Sequence, residues 1–594
     1  MKRMDAVIAT TPGISVWQHP LAPAMLAAVL VEKGYKVVQV DGHIEGIEYV
    51  LREKNSGEIC KALQIVRDPD LDITKKEDLI KLDWARKKIE LSSRNISPSS
   101  HFEVANNHVS YSPSGRDYSI EWLLNAIDDR KNNLFYPYLS RVMLPRIKEL
   151  NPRVCGITIG HDTQILTAFI LGSMIKEKMP DTKVVYGGNY FAQVQNIFSL
   201  PDFREMFRFG DCFVYAEGFQ PIIEIMKAVD QNQDFKEVSG AIWINNGRVI
   251  KNEPTCSPYS FEKIPTPIFI GIEQQWSPEP IYPLYTSSNC PFGCNFCAIA
   301  AGSDTYRCPP RIMTPKRVVE HMVKLIDKGA RIFEFADESM PVAKIIAIGQ
   351  GLKKIGYDGR AIFAALMNAE ECLSDINICQ ALYNSGLRCA QIGIETISTS
   401  SLKDQNKFGN KPTHYKMMIQ NLASVGIQVH LFIIVGLPDE SVADSLATLT
   451  FLKECGDDIT TAIVSRFRIP KMSRAGLTGA GTDGIVIKPD MKPWSANLDF
   501  EYVDGKSGHQ VDALREIGRQ VCIDLPLHQV TSLLAEHANR IRWSLSKLRI
   551  AAEISHSCLP SEEQLFHLDR ETRKIARCIG KSKNTEITYR DLIK

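Results

Sequence analysis

The chain contains 594 residues, which is too long for one hydrophobic core and indicates roughly three or four domains. Hydrophobic residues make up 44% and charged residues 23% of the sequence, so wholesale disorder is excluded. The 70 Lys and Arg residues stand against 69 Asp and Glu residues, and this net charge of +1 gives no global field that would hold nucleic acid or an anionic membrane.

The sequence predicts neither a membrane span nor a secretory signal. The longest uninterrupted apolar runs, such as residues 429–437, are about half as long as a bilayer requires. Thr10 and Pro12 interrupt the N-terminal residues before an apolar signal segment forms. We therefore expect a cytoplasmic protein. Its 15 cysteines are an odd number, so a disulfide framework is not expected, and their spacing is what would indicate ligation.

Residues 4–42 predict a strand, a helix and a second strand, with Gly34 ending the helix. A charged, partly helical segment over residues 43–150 interrupts the pattern, which then resumes with three further strands and their helices. Such alternation is typical of a parallel sheet that is covered on both faces. Ligands of these sheets bind at the carboxyl ends of the strands, which here are rich in Gly, Thr and Asn, although tight turns alone would explain each end.

A second alternation follows a proline-rich segment. Seven prolines fall between Pro254 and Pro283 and indicate a linker between domains. After it, six apolar strands separated by helical stretches predict a barrel or partial barrel, whose active site would lie at the carboxyl ends of the strands. The strand pattern fades at about residue 475, and the remaining residues read mainly as helices.

Three cysteines follow the first strand of this second alternation. Cys290, Cys294 and Cys297 have the spacing C-x3-C-x2-C, and Pro291 and Gly293 permit a tight reversal of the loop that carries them. Three thiolates would leave one iron of a [4Fe–4S] cluster without a protein ligand and therefore open to a substrate.

Two other readings of the cysteines remain open from their spacing alone. A structural zinc site could use Cys308 as a fourth ligand, and the cysteines could merely pack. Their position at the mouth of a predicted barrel, where catalytic loops belong, favours the functional reading.

The motif CPFGCNFC, with Phe296 before its third cysteine, resembles that of radical S-adenosylmethionine (SAM) enzymes, and the resemblance covers residues 281 to about 470. It implies an iron–sulfur cluster and SAM as cofactors. The resemblance implicates Phe296, which precedes the third cysteine, in the cofactor site. It places Asp337 or Glu338 at the amino group of SAM, Glu395 and Thr396 near the ribose, and Ile434 and Gly436 at the adenine.

The N-terminal half resembles the cobalamin-binding domain that precedes the barrel in one large radical SAM subclass. By this resemblance the cofactor would be lined by Thr158, Gly187, Gly188, Glu217 and Gly218. Glycine at positions 187 and 188 would allow the backbone to approach a bulky ligand closely.

Together the two resemblances imply an α/β protein. It would comprise a Rossmann-like, doubly wound cobalamin-binding domain, a radical SAM partial TIM barrel and a mainly helical C-terminal region. The expected boundaries are residues 1–240, with a long insertion near 43–150, then a Pro-rich linker at 241–280, the radical SAM domain at 281–475 and the helical region at 476–594.

A candidate cobalt ligand is discounted for its position. Asp41, His43 and Gly46 fit the DxHxxG pattern of proteins that bind cobalt through histidine, but that motif belongs after the first strand and this one follows the second. His19 and His161 lie in better-placed loops, yet a lone loop histidine is more often a polar surface group.

The subclass consists chiefly of methylases, so the resemblance implies transfer of a methyl group from SAM through methylcobalamin to an unactivated carbon, after hydrogen abstraction by a 5′-deoxyadenosyl radical. A cobalamin-dependent cyclase or rearrangement enzyme would share these motifs, and a non-catalytic cobalamin- or metal-binding protein is a further alternative. A methylthiotransferase is disfavoured, because the other N-terminal cysteines lack ligand spacing.

The expected partners are a small natural-product intermediate, with a modified peptide as second choice, and an external electron donor such as flavodoxin or ferredoxin. Nucleic acid and membranes are not expected. The sequence leaves the catalytic residues open, as well as whether Arg466 or Arg468 binds a carboxylate or only pairs at the surface.

Overall fold

Two parallel sheets organise the computed structural model. It describes residues 3–13, 16, 19–54, 57–96, 100–105, 108–113, 116–255, 259–299, 310–503, 505–524 and 541–558. No helix within these ranges has both the length and the apolar character needed to cross a bilayer.

The first sheet has seven strands. They are β1 (Ala6–Thr10), β2 (Val37–Asp41), β3 (Val154–Thr158), β4 (Lys183–Gly187), β5 (Cys212–Val214), β6 (Ala241–Asn245) and β7 (Arg248–Lys251). Their order is β2-β1-β3-β4-β5-β6-β7, and the first five are parallel. Because the chain order reverses between β1 and β3, the carboxyl ends of these two strands flank the crevice where such sheets bind ligands.

Helices cover both faces of this sheet, as the alternation predicted. They are Leu21–Glu32, Ile165–Lys178 and Phe219–Asp230. The helix Ile165–Lys178 is apolar nearly all round, and ten of its residues are buried, because it lies between the sheet and the insertion.

The insertion near residues 43–150 is partly helical, as predicted, but it also contains a hairpin that its charged composition did not predict. Its longer helices are His43–Lys54, Gly57–Ile65, Lys76–Arg94 and Ile120–Asp128, and the hairpin pairs Ser100–Ala105 with His108–Pro113. Phe102 and Tyr111 of the hairpin both meet the buried ring of Phe135 edge-on, which ties the hairpin to the rest of the insertion.

The predicted linker over residues 241–280 includes a strand pair that belongs to the first sheet. Strand β6 pairs antiparallel with β5, and β7 pairs antiparallel with β6. The sheet therefore continues to Lys251, and the extended, proline-rich connection begins after it. The difference arises because these two strands lack the helical crossover by which we recognised the others.

The second sheet is a six-stranded, all-parallel partial barrel, as predicted. Its strands follow the chain order as β8 (Ile281–Leu284), β9 (Ile332–Phe335), β10 (Ile362–Met367), β11 (Leu387–Glu395), β12 (Gln428–Val435) and β13 (Thr461–Arg466). The helices between them are Pro315–Ile326, Val342–Lys354, Ile376–Asn384, Thr399–Asp404, Pro412–Ser424 and Val442–Glu454.

The C-terminal residues are helical only in part. Two short antiparallel strand pairs, Ile469–Pro470 with Asn497–Leu498 and Ile485–Ile487 with Phe500–Tyr502, precede the helices Gly508–Asp524 and Leu545–Cys558. The first of these helices packs its apolar face on β13.

Residues near the C-terminus close the lower end of the barrel. Ile541 packs against a small buried cluster made by the amino-terminal parts of the strands, which consists of Ile281, Ile332, Ala364 and Cys389. Beside it, the Gln428 side-chain amide donates a hydrogen bond to the carbonyl of Trp543 at 2.7 Å.

Candidate functional site

A cavity of about 490 Å³ lies where the carboxyl ends of the first sheet face the mouth of the barrel. Its lining includes all five residues that the sequence implicated in cobalamin binding, Thr158, Gly187, Gly188, Glu217 and Gly218. The barrel contributes Tyr285, Asn289, Ala298, Arg311 and Glu338. The two halves of the chain thus share one mainly apolar cavity with a few polar groups, which is the usual character of a cofactor site.

One ion pair spans the cavity from one half to the other. The Arg311 guanidinium donates to Glu217 Oε1 at 2.6 Å and to Ser288 Oγ at 3.0 Å. Glu217 Oε2 is buried and has no hydrogen-bond partner among the described residues. A buried carboxylate oxygen without a donor is costly, so a ligand that offers an amide N–H would be favoured there. Sequence patterns did not identify Arg311, because its partner lies 94 residues away.

The two adjacent glycines of this cavity differ in what they require. At Gly188 φ is +118°, and a Cβ would overlap the carbonyl oxygen of Ile159, so the fold itself demands glycine. At Gly187 a Cβ would meet nothing nearer than Val214 at 3.9 Å. The rationale of close approach to a ligand therefore applies to Gly187 alone.

No histidine of the described residues lines the cavity. His43 is fully buried in the core beside β2, and both of its ring nitrogens lack hydrogen-bond partners among the described residues. Burial lowers its pKa to about 4. His19 Nε2 lies 2.6 Å from the carbonyl oxygen of Ile270, and the exposed His161 pairs with Asp162. The structure therefore supports setting the DxHxxG match aside.

The three motif cysteines lie on the loop that follows β8 at the barrel mouth. The Cys297 amide donates to the Cys294 carbonyl at 3.2 Å, which folds the second half of the motif into a turn. Burial raises the pKa of the Cys294 thiol to about 11, while Lys407 opposes that shift. Burial also raises the pKa of Cys290, and the neighbouring Cys297 adds to it.

The three cysteine thiols suit an iron–sulfur cluster better than a single metal ion. Cys308, the possible fourth zinc ligand, lies outside the described residues, and within them no three His, Cys, Asp or Glu side chains form a group that could hold a single metal ion. The thiolates of a cubic cluster each bind a different iron, so they need not meet at one point.

The cysteine loop is held from outside by two other segments. The Gly293 carbonyl accepts hydrogen bonds from Asn406 Nδ2 at 2.6 Å and from the Arg474 guanidinium at 3.1 Å. The Asn295 carbonyl accepts from the Ala475 amide at 2.9 Å. The carbonyls on both sides of Cys294 are therefore engaged by the chain that follows β13.

Lys407 is a functional candidate that the sequence did not reveal. Its ammonium lies 3.0 Å from Glu395 Oε1 and 5.8 Å from the centre of the Phe296 ring. Burial lowers the pKa of Lys407, but Glu395 and the nearby Cys294 thiolate outweigh it and hold the pKa above its usual value. The residue thus places a cation beside the cysteines and pairs with one carboxylate oxygen of Glu395, whose expected place near the ribose stays a prediction.

The structure distinguishes the two acidic residues after β9. Asp337 is buried, and it accepts hydrogen bonds from the Thr286 amide and hydroxyl and the Ser287 amide, with Lys344 3.6 Å away. It is therefore a structural residue. Glu338 points into the cavity, where surrounding protein and then Asp337 raise its pKa to about 7. Of the pair, only Glu338 is accessible to a ligand.

Thr396 is not available to a ligand, contrary to its expected place near the ribose. It is fully buried, and its hydroxyl donates to Glu440 Oε1 at 2.6 Å. Glu440 also accepts from Ser445 Oγ at 2.7 Å. The threonine therefore links the end of β11 to the loop that follows β12 instead of lining the site.

Ile434 and Gly436, the two residues expected at the adenine, have different surroundings. Phe296 and Ile434 both pack at the edge of one small apolar cluster at the barrel mouth. The Gly436 carbonyl accepts from the Tyr502 hydroxyl at 2.7 Å, and Val511 and Tyr502 cover the open side of this glycine. Sequence could not foresee this cover, because it comes from the C-terminal residues.

The arginines left open by the sequence lie at the surface. Arg466 pairs with Asp512 at 3.0 Å, and both side chains are about half exposed. Arg468 is also exposed. Arg466 therefore forms an ion pair at the surface and needs no carboxylate ligand to explain its position.

Comparison with known proteins agrees with this geometry. Residues 284–452 match the family model of the radical SAM superfamily. The chain contains a radical SAM domain. The matched residues begin at the end of β8 and include the three cysteines, Glu338 and Lys407.

Relatives of this chain include three methyltransferases. An uncharacterized methyltransferase of Pyrococcus horikoshii is 24% identical over 56% of this chain and 70% of its own length. The bacteriochlorophyllide d C-12(1)-methyltransferase of Chlorobaculum tepidum is 26% identical over 29% of this chain and 38% of its own length. The hopanoid C-2 methylase of Rhodopseudomonas palustris is 23% identical, and the match covers 28% of this chain and 32% of the relative.

Solved structures extend the similarity to nearly the whole chain. The radical SAM methyltransferase TsrM of Kitasatospora setae, with cobalamin and a [4Fe–4S] cluster bound, superimposes with a TM-score of 0.57 at 13% identity, over 93% of this chain and 99% of its own. The cobalamin-dependent enzyme OxsB, with aqua-cobalamin bound, gives a TM-score of 0.55 at 14% identity, over 87% and 66% of the two chains. The predicted fold class is therefore confirmed.

Proposed function

We propose that this protein is a cobalamin-dependent radical SAM methyltransferase that transfers a methyl group from SAM to an unactivated carbon of a small molecule. The observation that supports it best is the shared cavity. The predicted cobalamin residues and the barrel mouth beside the cysteine loop line the same space. Two cofactors bound on opposite sides of this cavity would both reach one substrate.

The residues present fit both cofactors. Cys290, Cys294 and Cys297 would hold a [4Fe–4S] cluster, and the strand ends around Gly187 and Glu217 would hold cobalamin. When bound, the cluster supplies the electron that cleaves SAM, and cobalamin carries the methyl group. The protein's own task is to orient these groups and to exclude water.

Several side chains would perform that task. Ionised Glu338 would bind the ammonium of SAM, and Lys407 would attract its carboxylate at the cysteine loop. Phe296 and Ile434 would enclose the adenine, because both present apolar surface at the same cluster. The apolar wall of the cavity, which includes Tyr285, would limit the access of water to a substrate bound there.

The partners follow from this chemistry. A small-molecule substrate is supported by two relatives whose names specify bacteriochlorophyllide and hopanoid substrates, and a modified peptide is the second choice. An external one-electron donor, such as flavodoxin or ferredoxin, would reduce the cluster. A cytoplasmic site of action is supported by the described cysteines, which are all free thiols.

The test uses anaerobically purified full-length protein, reconstituted with iron and sulfide and supplied with hydroxocobalamin, dithionite and SAM. We expect about four irons per chain, retained cobalamin, and both 5′-deoxyadenosine and S-adenosylhomocysteine as products. The Cys294→Ala variant should retain cobalamin but form neither product. Formation of 5′-deoxyadenosine alone would favour a cyclase or rearrangement enzyme, and zinc in place of iron would contradict the proposal.

A further inference from the structure

Arg474 lies outside the matched radical SAM residues, yet it contacts the cysteine loop directly. Its guanidinium donates to the Gly293 carbonyl at 3.1 Å, the residue immediately before Cys294. A Cβ at position 293 would collide with this guanidinium and with Asn406, so glycine permits the approach. The contact joins residues 181 positions apart in the chain.

The surrounding residues fix Arg474 at this place. It opens the short helix Arg474–Thr478, whose preceding Ser473 side chain accepts from the Gly476 amide at 3.0 Å. The next residue, Ala475, donates its amide to the Asn295 carbonyl at 2.9 Å. Two successive residues of this helix therefore hold the carbonyls that flank Cys294.

The charge of Arg474 has a direct consequence for a cluster on this loop. A guanidinium is protonated at all physiological pH values, so it places a fixed positive charge at the carbonyl that immediately precedes Cys294. Reduction adds one electron from the external reductant to the cluster and makes it more negative. Because the potential of a cluster depends on nearby charge and hydrogen bonding, a fixed cation stabilises the reduced form.

We propose that Arg474 is a positioning residue that holds the cysteine loop and raises the reduction potential of the cluster, so that a mild reductant can reduce it. This inference rests on the proposed function. The neutral Asn406, which donates to the same carbonyl at 2.6 Å, provides a built-in comparison, because it shares the hydrogen bond but not the charge.

The experiment compares the reconstituted wild type with Arg474→Gln, Arg474→Lys and Asn406→Ala. Arg519→Gln serves as the matched control, because Arg519 is exposed and pairs only with Glu516 on its own helix among the described residues. Redox titration monitored by electron paramagnetic resonance gives the midpoint potential of each cluster. Iron content and 5′-deoxyadenosine formation with dithionite or the stronger reductant titanium(III) citrate are measured in parallel.

We expect Arg474→Gln to keep its iron while the equilibrium for reduction weakens about tenfold, which is about 59 mV for one electron. Arg474→Lys should recover most of this shift, and Asn406→Ala and Arg519→Gln should show less than half of it. Titanium(III) citrate should restore 5′-deoxyadenosine formation in Arg474→Gln.

An unchanged midpoint in Arg474→Gln, or an equal shift in Asn406→Ala, would overturn the inference. Loss of iron from both Arg474 variants would also overturn it, because the role would then be purely structural. If the wild type itself bound no cluster or formed no 5′-deoxyadenosine, the proposed function would fail instead, so the two failures are distinguishable.

Discussion

At the scale of single residues, the ionisation of Glu338 is set by the cavity around it. Protein that surrounds the carboxyl group raises its pKa to about 7, whereas it ionises near 4.5 in the unfolded chain. The ionised carboxylate is therefore less favourable in the folded protein, and stability falls as the pH rises from about 4.5 to 7, although solvent reaches the exposed part of the side chain and reduces this loss. We expect Glu338→Gln to raise the melting temperature at pH 8 by about 1–2 °C.

This gain should shrink as the pH falls towards 4.5, where the wild-type carboxyl group is neutral in both states. Differential scanning calorimetry at pH 5 and pH 8 measures it. A gain of equal size at both pH values would show that packing, and not charge, is the cause.

The buried pair of Lys407 and Glu395 carries a second prediction at this scale. Each side chain is only 10% exposed, so removing one partner leaves a charge that is poorly solvated. We expect Lys407→Met to lower the free energy of unfolding by about 3 kcal/mol in urea titrations of the apo protein. The double variant Glu395→Gln/Lys407→Met should recover more than half of that loss, and additive losses in the double-mutant cycle would contradict the pairing.

Single residues also show where sequence reasoning succeeds and where it stops. The three cysteines and the cavity glycines belong to local motifs, and their neighbours in the chain reveal them. No sequence motif marks Lys407, Arg311 or Arg474. The contacts that suggest a function for each of them form only in the folded protein. Thr396 and Asp337 have the expected sequence context, but their hydrogen-bonding capacity is used by their own chain.

At the scale of elements, the end of β4 offers a matched pair of substitutions. Gly188→Ala puts a Cβ into the Ile159 carbonyl at a positive φ, which should cost roughly 1–3 kcal/mol or more in the free energy of unfolding. Gly187→Ala meets no such obstacle and should leave that free energy within about 0.5 kcal/mol of the wild type.

Gly187→Ala should nevertheless take up less hydroxocobalamin, because Gly187 faces the cavity. Urea unfolding and equilibrium dialysis separate the two effects. Full cobalamin uptake by Gly187→Ala would remove the close-approach argument for this glycine.

The elements that sequence predicted were the parallel strands, because each is a nearly continuous apolar run between two amphipathic or apolar helices. The elements that it missed were antiparallel. Strands β6 and β7 are half exposed at the sheet edge, and the insertion hairpin has few consecutive apolar residues. Their stability comes from pairing and from contacts such as those of Phe102 and Tyr111 with Phe135, which composition does not encode.

At the scale of the whole molecule, the cavity makes one ligand a bridge between two domains. Cobalamin that contacts both halves should stabilise both, so we expect the melting temperature to rise with cobalamin concentration through a single transition. When the cobalamin concentration is a hundred times the dissociation constant, binding raises the free energy of unfolding by about 2.7 kcal/mol. Calorimetry with and without hydroxocobalamin measures this, and an increase confined to one of two transitions would mean that only one half binds the ligand.

The closed lower end of the barrel also has a consequence for folding during translation. Gln428 of β12 precedes its partner Trp543 by 115 residues, so the strands leave the ribosome before the residues that seal them. At translation rates of about 5–20 residues per second, the gap lasts roughly 6–23 seconds. During that interval the nascent barrel has an open apolar base, and this period is when a chaperone would protect it most.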